Sequence, residues 1–325
     1  MKRKKADIAE IRRIEGVLRC LNEDRLIEPG HTIPGDPVDL RGLEFPTVSH
    51  CRHLDLDDTV VNRVCGKQKV YDASLIRVDF SNAVLDHSVW NDCVFTEVLF
   101  SDVSLRNVRF FGCRFERCVF RNTNLSDASM SIGRNGKETE LLGCRMELCN
   151  LRGASCHRLV VADTVLSDCE LSDFVFNEAA FSHVVIRGAY DGLTFRGARG
   201  EPERNALNVD LSLAEVGWLN VDYGMDLRST KFRDDGSCLV ASNRRQACEA
   251  ILELARQPGT ATRHEAMRLL GAVFSDDSPS PLDPSQTMFY VSIAMLRELG
   301  RLGKAEAETI LGEIRNRLTR DSLLI

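Results

Sequence analysis

The chain has 325 residues, enough for two domains, with a net charge of −6. That balance argues against a general nucleic-acid binder, and no apolar run reaches the ~18 residues of a membrane span, so neither DNA or RNA nor a bilayer is an expected partner. The start, Met1-Lys2-Arg3-Lys4-Lys5, is basic, but a charged amphipathic stretch follows in place of a signal-peptide apolar core, and the chain reads as cytoplasmic.

Residues 6–22 predict a helix. Asp7 with Glu10 forms a capping-box pattern, and Ile8, Ile11, Ile14, Leu18 and Leu21 make one apolar stripe. This segment, within an N-terminal helical cap of residues 1–37, would cover the open end of the region that follows, or meet a partner or a second copy.

A different period begins beyond it. From Leu75 to Met130 every fifth residue is large and apolar: Leu75, Phe80, Leu85, Trp90, Phe95, Phe100, Leu105, Phe110, Phe115, Phe120, Leu125, Met130. The pattern resumes, moved by one residue, from Leu141 through Met146, Leu151, Cys156, Val161, Leu166, Leu171, Phe176 and Phe181 to Ile186. A period of five is neither the 3.6 of a helix nor the 2 of a strand. It requires a chain that turns a corner every five residues and points one large side chain at a common axis. Two residues earlier in each unit sits a smaller group, such as Ala83, Val98, Cys113, Thr123 or Cys169; the remaining positions are mostly polar.

Units such as Ala83-Val84-Leu85-Asp86-His87, Thr123-Asn124-Leu125-Ser126-Asp127 and Cys169-Glu170-Leu171-Ser172-Asp173 resemble those of the pentapeptide-repeat family. The resemblance implies a mostly β fold: a right-handed, four-sided β-helix with twenty residues per coil. Weaker register upstream (Leu43 with Phe45, Leu54 with Leu56, Thr59 with Val61) and downstream (Leu193 with Phe195, Val209 with Leu211, Ala214 with Val216, Leu219 with Val221, Thr230 with Phe232) extends this solenoid over residues 38–234. Residues 66–70 read as a short slip, 132–140 as a protruding loop with an Asn-Gly turn, and 196–206 as a larger loop with three glycines and a proline.

The cysteines follow the same register. Cys93, Cys113, Cys118, Cys144, Cys149 and Cys169 take the small inward position and Cys156 the large one, as buried apolar groups would. The Cys113/Cys118 and Cys144/Cys149 pairs are one repeat apart, a repeat spacing and not a zinc one. In the densest His/Cys group, His50, Cys51, His53 and Cys65, Cys51 fits an inward position of an early coil, which leaves the histidines outside. There is no phosphate loop, no dinucleotide fingerprint and no zinc-protease motif. No cofactor, metal or catalytic residue is assigned, and an enzyme would need the helical region or the two loops as its host.

Residues 235–325 change character and predict a C-terminal α-helical domain, with helices over 243–256, 263–274, 285–300 and 303–319. Thr262 with Glu265 reads as a capping box, and Asp283-Pro284-Ser285-Gln286 as a second helix start. The run from Met288 to Leu296 is apolar nearly all round, so either the bundle or a second subunit must cover it, and a homodimer through these helices is one expectation.

The expected function is a non-catalytic interaction or scaffold protein of bacterial type, inside an assembly such as a defence complex or as an effector, binding another protein through the β-helix surface. The alternative, implied by the resemblance, is a DNA-mimic modulator of DNA gyrase or a related type II topoisomerase. Mimicry needs rows of like negative charge, whereas residues twenty apart alternate: Arg77, Glu97 and Arg117 on one row, Asp86 against Arg106, Arg158 against Glu178, and Asp163 against His183. Residues 72–102 are mostly acidic and 104–121 mostly basic, a banding suited to one complementary partner. The candidate contact residues are Asp163, Asp168, Asp173 and Glu178, which share one outward position in successive units, with Asp92, Glu97 and Asp102.

Overall fold

A computed structural model describes residues 51–52, 55–57, 69–222, 224–274 and 289–324. The expected N-terminal helix, its capping pair and three members of the His/Cys group (His50, His53 and Cys65) lie outside the described residues. The chain forms two compact units that divide between Phe174 and Val175.

The first unit is a parallel β-helix with four walls. Three walls are ladders of three-residue strands. One stacks Val70, Trp90, Phe110, Met130 and Cys156. The next stacks Leu75, Phe95, Phe115, Leu141 and Val161. A third carries Phe100, Phe120, Met146 and Leu166, with Phe80 donating its N–H to Leu99 O. The fourth wall is a column of tight turns at Leu85, Leu105, Leu125, Leu151 and Leu171, each closed by the N–H three residues on, as in Ala128 N–H to Leu125 O at 3.1 Å. Period five therefore arises because each wall uses three extended residues, or a turn, and each corner uses the remainder.

The interior is filled by like on like. Phe95 and Phe115 stack with ring centroids 4.6 Å apart, as do Phe100 and Phe120, and Phe80 lies 5.3 Å from Phe100. Such pairs add about 0.5–1.5 kcal/mol each beyond the burial of their area. The small inward residues satisfy the coil before them. Cys113 Sγ donates to Trp90 O at 3.3 Å, Cys118 to Phe95 O at 3.3 Å, Thr123 Oγ1 to Phe100 O at 2.8 Å and Cys149 Sγ to Phe120 O at 3.4 Å. Burial pushes the Cys113 and Cys118 thiols well up, so they stay protonated donors. Most of the expected slip, residues 66–68, lies outside the described residues; Lys69–Tyr71 is a strand of the first wall.

In the second unit, short strands at Val175–Asn177 and Ala180–Ser182 lead to Val184–Arg196 and Val209–Asp222, which pair in parallel with a register shift between Val185 and Arg187. Leu193, Phe195, Val209, Leu211, Ala214, Val216, Leu219 and Val221 are all buried, as the extended register predicts. The 196–206 excursion is tied down. Asn205 accepts from Ala198 N–H at 2.7 Å, and the Arg204 guanidinium donates to Glu178 O at 3.0 Å.

Helices follow at Arg244–Ala255, Ala261–Phe274, Ile293–Gly300 and Lys304–Arg320. Two expectations are corrected. Within the helix expected over 285–300, Phe289–Ser292 is a strand paired antiparallel with Cys238–Ala241, and helix begins only at Ile293; residues 285–288, and the start signal at 283–286, are outside the described residues. All four strand residues are buried, as are Met295 and Leu296, while Ile293 is half-buried and Ala294 exposed. The cap expected at Thr262 belongs to Thr260, whose Oγ1 accepts from Arg263 N–H at 3.2 Å; Thr262 instead donates to Glu306 at 2.6 Å.

Candidate protein-interaction surface

The described corners of the first unit, apart from the point where the 132–140 loop leaves the coil, place one residue in the left-handed region. Non-glycine corners from Asp72 to His183 have φ between 48° and 60°, and Gly112, Gly143 and Gly153 take the same place. Only glycine enters this region freely; asparagine and aspartate follow because their short side chains bond locally. Sequence reading missed this requirement, although the recurrence of Asp, Asn and Gly two residues after each large apolar position carries the signal.

All seven candidate contact residues are corners: Asp92, Glu97, Asp102, Asp163, Asp168, Asp173 and Glu178. Their acidity is thus partly a backbone solution. In the first unit they fall on different edges. Asp72, Asp92 and Gly112 share one edge, and Arg77, Glu97, Arg117, Gly143 and Asp163 the next. Asn82, Asp102, Asn122, Leu148 and Asp168 follow, then His87, Asn107, Asp127, Gly153 and Asp173. Asp163, Asp168 and Asp173 therefore face three directions, as do Asp92, Glu97 and Asp102. What the fold brings together is Glu97 with Asp163 along one edge and Asp102 with Asp168 along another. Glu178, in the second unit, is half-buried, and its carbonyl holds Arg204.

Stacking engages part of the acidic band, with cations reaching Glu97 closely and Asp86 at 4.0 Å and neutral donors meeting Asp86 and Asp102. Arg117 Nε meets Glu97 at 3.0 Å, the Arg106 N–H donates to Asp86 at 2.9 Å, and Asn122 donates to Asp102 at 2.6 Å, all between residues twenty apart. Across the 132–140 loop the offset is twenty-six, and Arg121 meets Glu147 at 3.2 Å and Arg114 meets Glu140 at 2.8 Å. Arg158 pairs with Glu138 at 3.0 Å. Exposed pairs of this kind are worth at most about 1 kcal/mol, but they fix which charges remain for a partner. Asp168 and Asp173 are exposed and have no ion pair among the described residues.

The 132–140 loop was expected to protrude. Its tip residues are exposed, but the loop leans along the wall: the Arg134 guanidinium lies 5.3 Å from the centre of the Tyr71 ring, and Thr139 donates to Ser131 O at 2.6 Å. Two glycines allow this approach. A Cβ at Gly133 would lie 2.7 Å from Asp92 Oδ1 and 3.0 Å from Gly112 Cα.

Eight copies of the family model described as pentapeptide repeats match, over residues 73–110 and 99–131. Among solved structures, the pentapeptide repeat protein HetL, involved in heterocyst differentiation regulation in the cyanobacterium Nostoc, is 13% identical, over 59% of this chain and 82% of its own, with a TM-score of 0.41. Full-length QnrB1, a plasmid-mediated fluoroquinolone resistance protein, is 18% identical, over 57% of this chain and 94% of its own, with a TM-score of 0.27. Rfr23, a pentapeptide repeat protein from the cyanobacterium Cyanothece, is 15% identical, over 42% of this chain and 86% of its own, with a TM-score of 0.17. No curated protein matches the chain.

Proposed function

We propose, from the premise that this chain is a pentapeptide-repeat protein, that it is a non-catalytic scaffold which binds another protein through the outer wall and edges of its β-helix. The observation that carries the reading is the filled interior. Phenylalanine on phenylalanine at 4.6 Å, backed by donors that satisfy the neighbouring coil, leaves recognition to the outward residues. Those residues form charge ladders that are mixed in sign, which suits docking to one complementary surface more than general attraction.

The same ladders weigh against the DNA-mimic alternative. An imitation of the phosphate backbone needs uninterrupted negative rows, and Arg117 stands between Glu97 and Asp163 on their edge. Supercoiling by purified DNA gyrase, assayed with micromolar full-length protein, separates the readings. Unchanged supercoiling supports the scaffold; inhibition or protection of gyrase overturns it in favour of the topoisomerase modulator.

A further inference from the structure

We infer that Leu148 anchors a protein-docking edge whose partner is a protein surface offering a shallow apolar socket rimmed by lysine or arginine. This deepens the proposed function and rests on it. Along the edge Asn82, Asp102, Asn122, Leu148, Asp168, four residues suit the left-handed corner and one does not. Leu148 holds φ 54° without the local hydrogen bonding that makes the angle tolerable for its neighbours, and it is 61% exposed, so burial offers no compensation. A single exposed leucine is ordinary on a protein surface. The coil imposes this angle on its corners, Arg77, Glu97 and Arg117 included; what sets Leu148 apart is that it is the one apolar side chain among the described non-glycine corners from Asp72 to His183, at a position the others fill with polar groups.

Its surroundings specify the partner. Asp168, next along the edge, is exposed and has no ion pair among the described residues. Glu147, beside Leu148, is taken up by Arg121 at 3.2 Å, and Asp102 by Asn122 at 2.6 Å. The adjoining corners on the same coil are Gly143 and Gly153, which project nothing. What the edge offers is one apolar knob beside one open carboxylate. A concave apolar site with a basic rim complements both, the arrangement of an anchor residue surrounded by charge that steers and orients. Nucleic acid matches neither group.

The test places a photo-crosslinking residue at position 148 of the full-length chain in its native cell, with Val84 and Leu213 as exposed apolar controls. The protein adduct is identified by mass, purified, and titrated against the wild type, Leu148→Asn and Asp168→Asn. The expected result is an adduct specific to position 148, binding about ten-fold weaker or more for Leu148→Asn, and a smaller loss with reduced salt dependence for Asp168→Asn. Leu148→Asn must keep or raise its melting temperature, so that lost binding is not lost folding. The inference is overturned if affinity stays within about two-fold, if the controls give the same adducts, or if the adduct is a second copy of this chain or nucleic acid. The same crosslinker is also placed at 163 and at 173: adducts there with none from 148 would sink the inference and leave the scaffold reading standing, and none from any of these positions would sink both.

Discussion

Leu148 and Gly133 show how single residues register the geometry of the coil. Leucine in the left-handed region costs roughly 1–2 kcal/mol, and at Leu148 the side chain is exposed, so nothing is lost by shortening it. Leu148→Asn should therefore stabilise the fold by about 1 kcal/mol, read as a higher urea midpoint at unchanged slope. Gly133→Ala should do the reverse. Its new methyl would meet Asp92 Oδ1 at 2.7 Å and Gly112 Cα at 3.0 Å, and the second is backbone that cannot swing away. The expected loss is about 1–3 kcal/mol, with Arg134 displaced from Tyr71. A melting temperature equal to that of the wild type would show that the loop does not rest on this wall.

Among the elements, the phenylalanine columns and the strand Phe289–Ser292 bear most of the consequence. Phe115 touches Phe95 face to face and Phe110 and Phe120 edge to face, so Phe115→Ala should cost about 3–5 kcal/mol. Phe115→Leu, which repeats the residue stacked on it at Leu141, should cost under about 1.5 kcal/mol. Equilibrium unfolding of both variants checks the difference, and equal losses would contradict a column packed by shape. Ser292 does two jobs. Its Oγ caps the helix Ile293–Gly300 by accepting from Met295 N–H at 3.0 Å, and it donates to Gly217 O at 2.6 Å. Ser292→Ala should cost about 1–2 kcal/mol and expose Tyr290, whose hydroxyl donates to Val216 O, detectable by near-ultraviolet circular dichroism.

For the molecule as a whole, the question is which charges remain for a partner. Net charge is −6, and stacked arginines take up acids such as Glu97 and Glu147. Reversing Asp163, Asp168 and Asp173 together to lysine should cost about 1 kcal/mol per site, because all three are exposed but lysine lacks the local bonding that lets aspartate hold the left-handed corner. It should weaken binding to any basic partner and flatten its dependence on salt. A partner whose affinity and salt dependence are unmoved by the triple reversal would place recognition away from these edges.

The sequence by itself determined the period, the inward columns and the cysteine positions, because each coil repeats one local demand: a large apolar side chain inward and a corner five residues on. It also located the C-terminal helices, whose apolar stripes and caps are local signals. Three matters needed the tertiary structure. Phe289–Ser292 reads equally as buried helix or buried strand, and only pairing with Cys238–Ala241, some fifty residues away, decides between them. The cap moves from Thr262 to Thr260 because Thr262 finds Glu306 on another helix. The acids at one shared position of the repeat looked like a set, but a chain that turns a right angle every five residues sends successive members to successive edges. Only stacking between coils brings side chains together on one edge, and there it sets Leu148 beside Asp168.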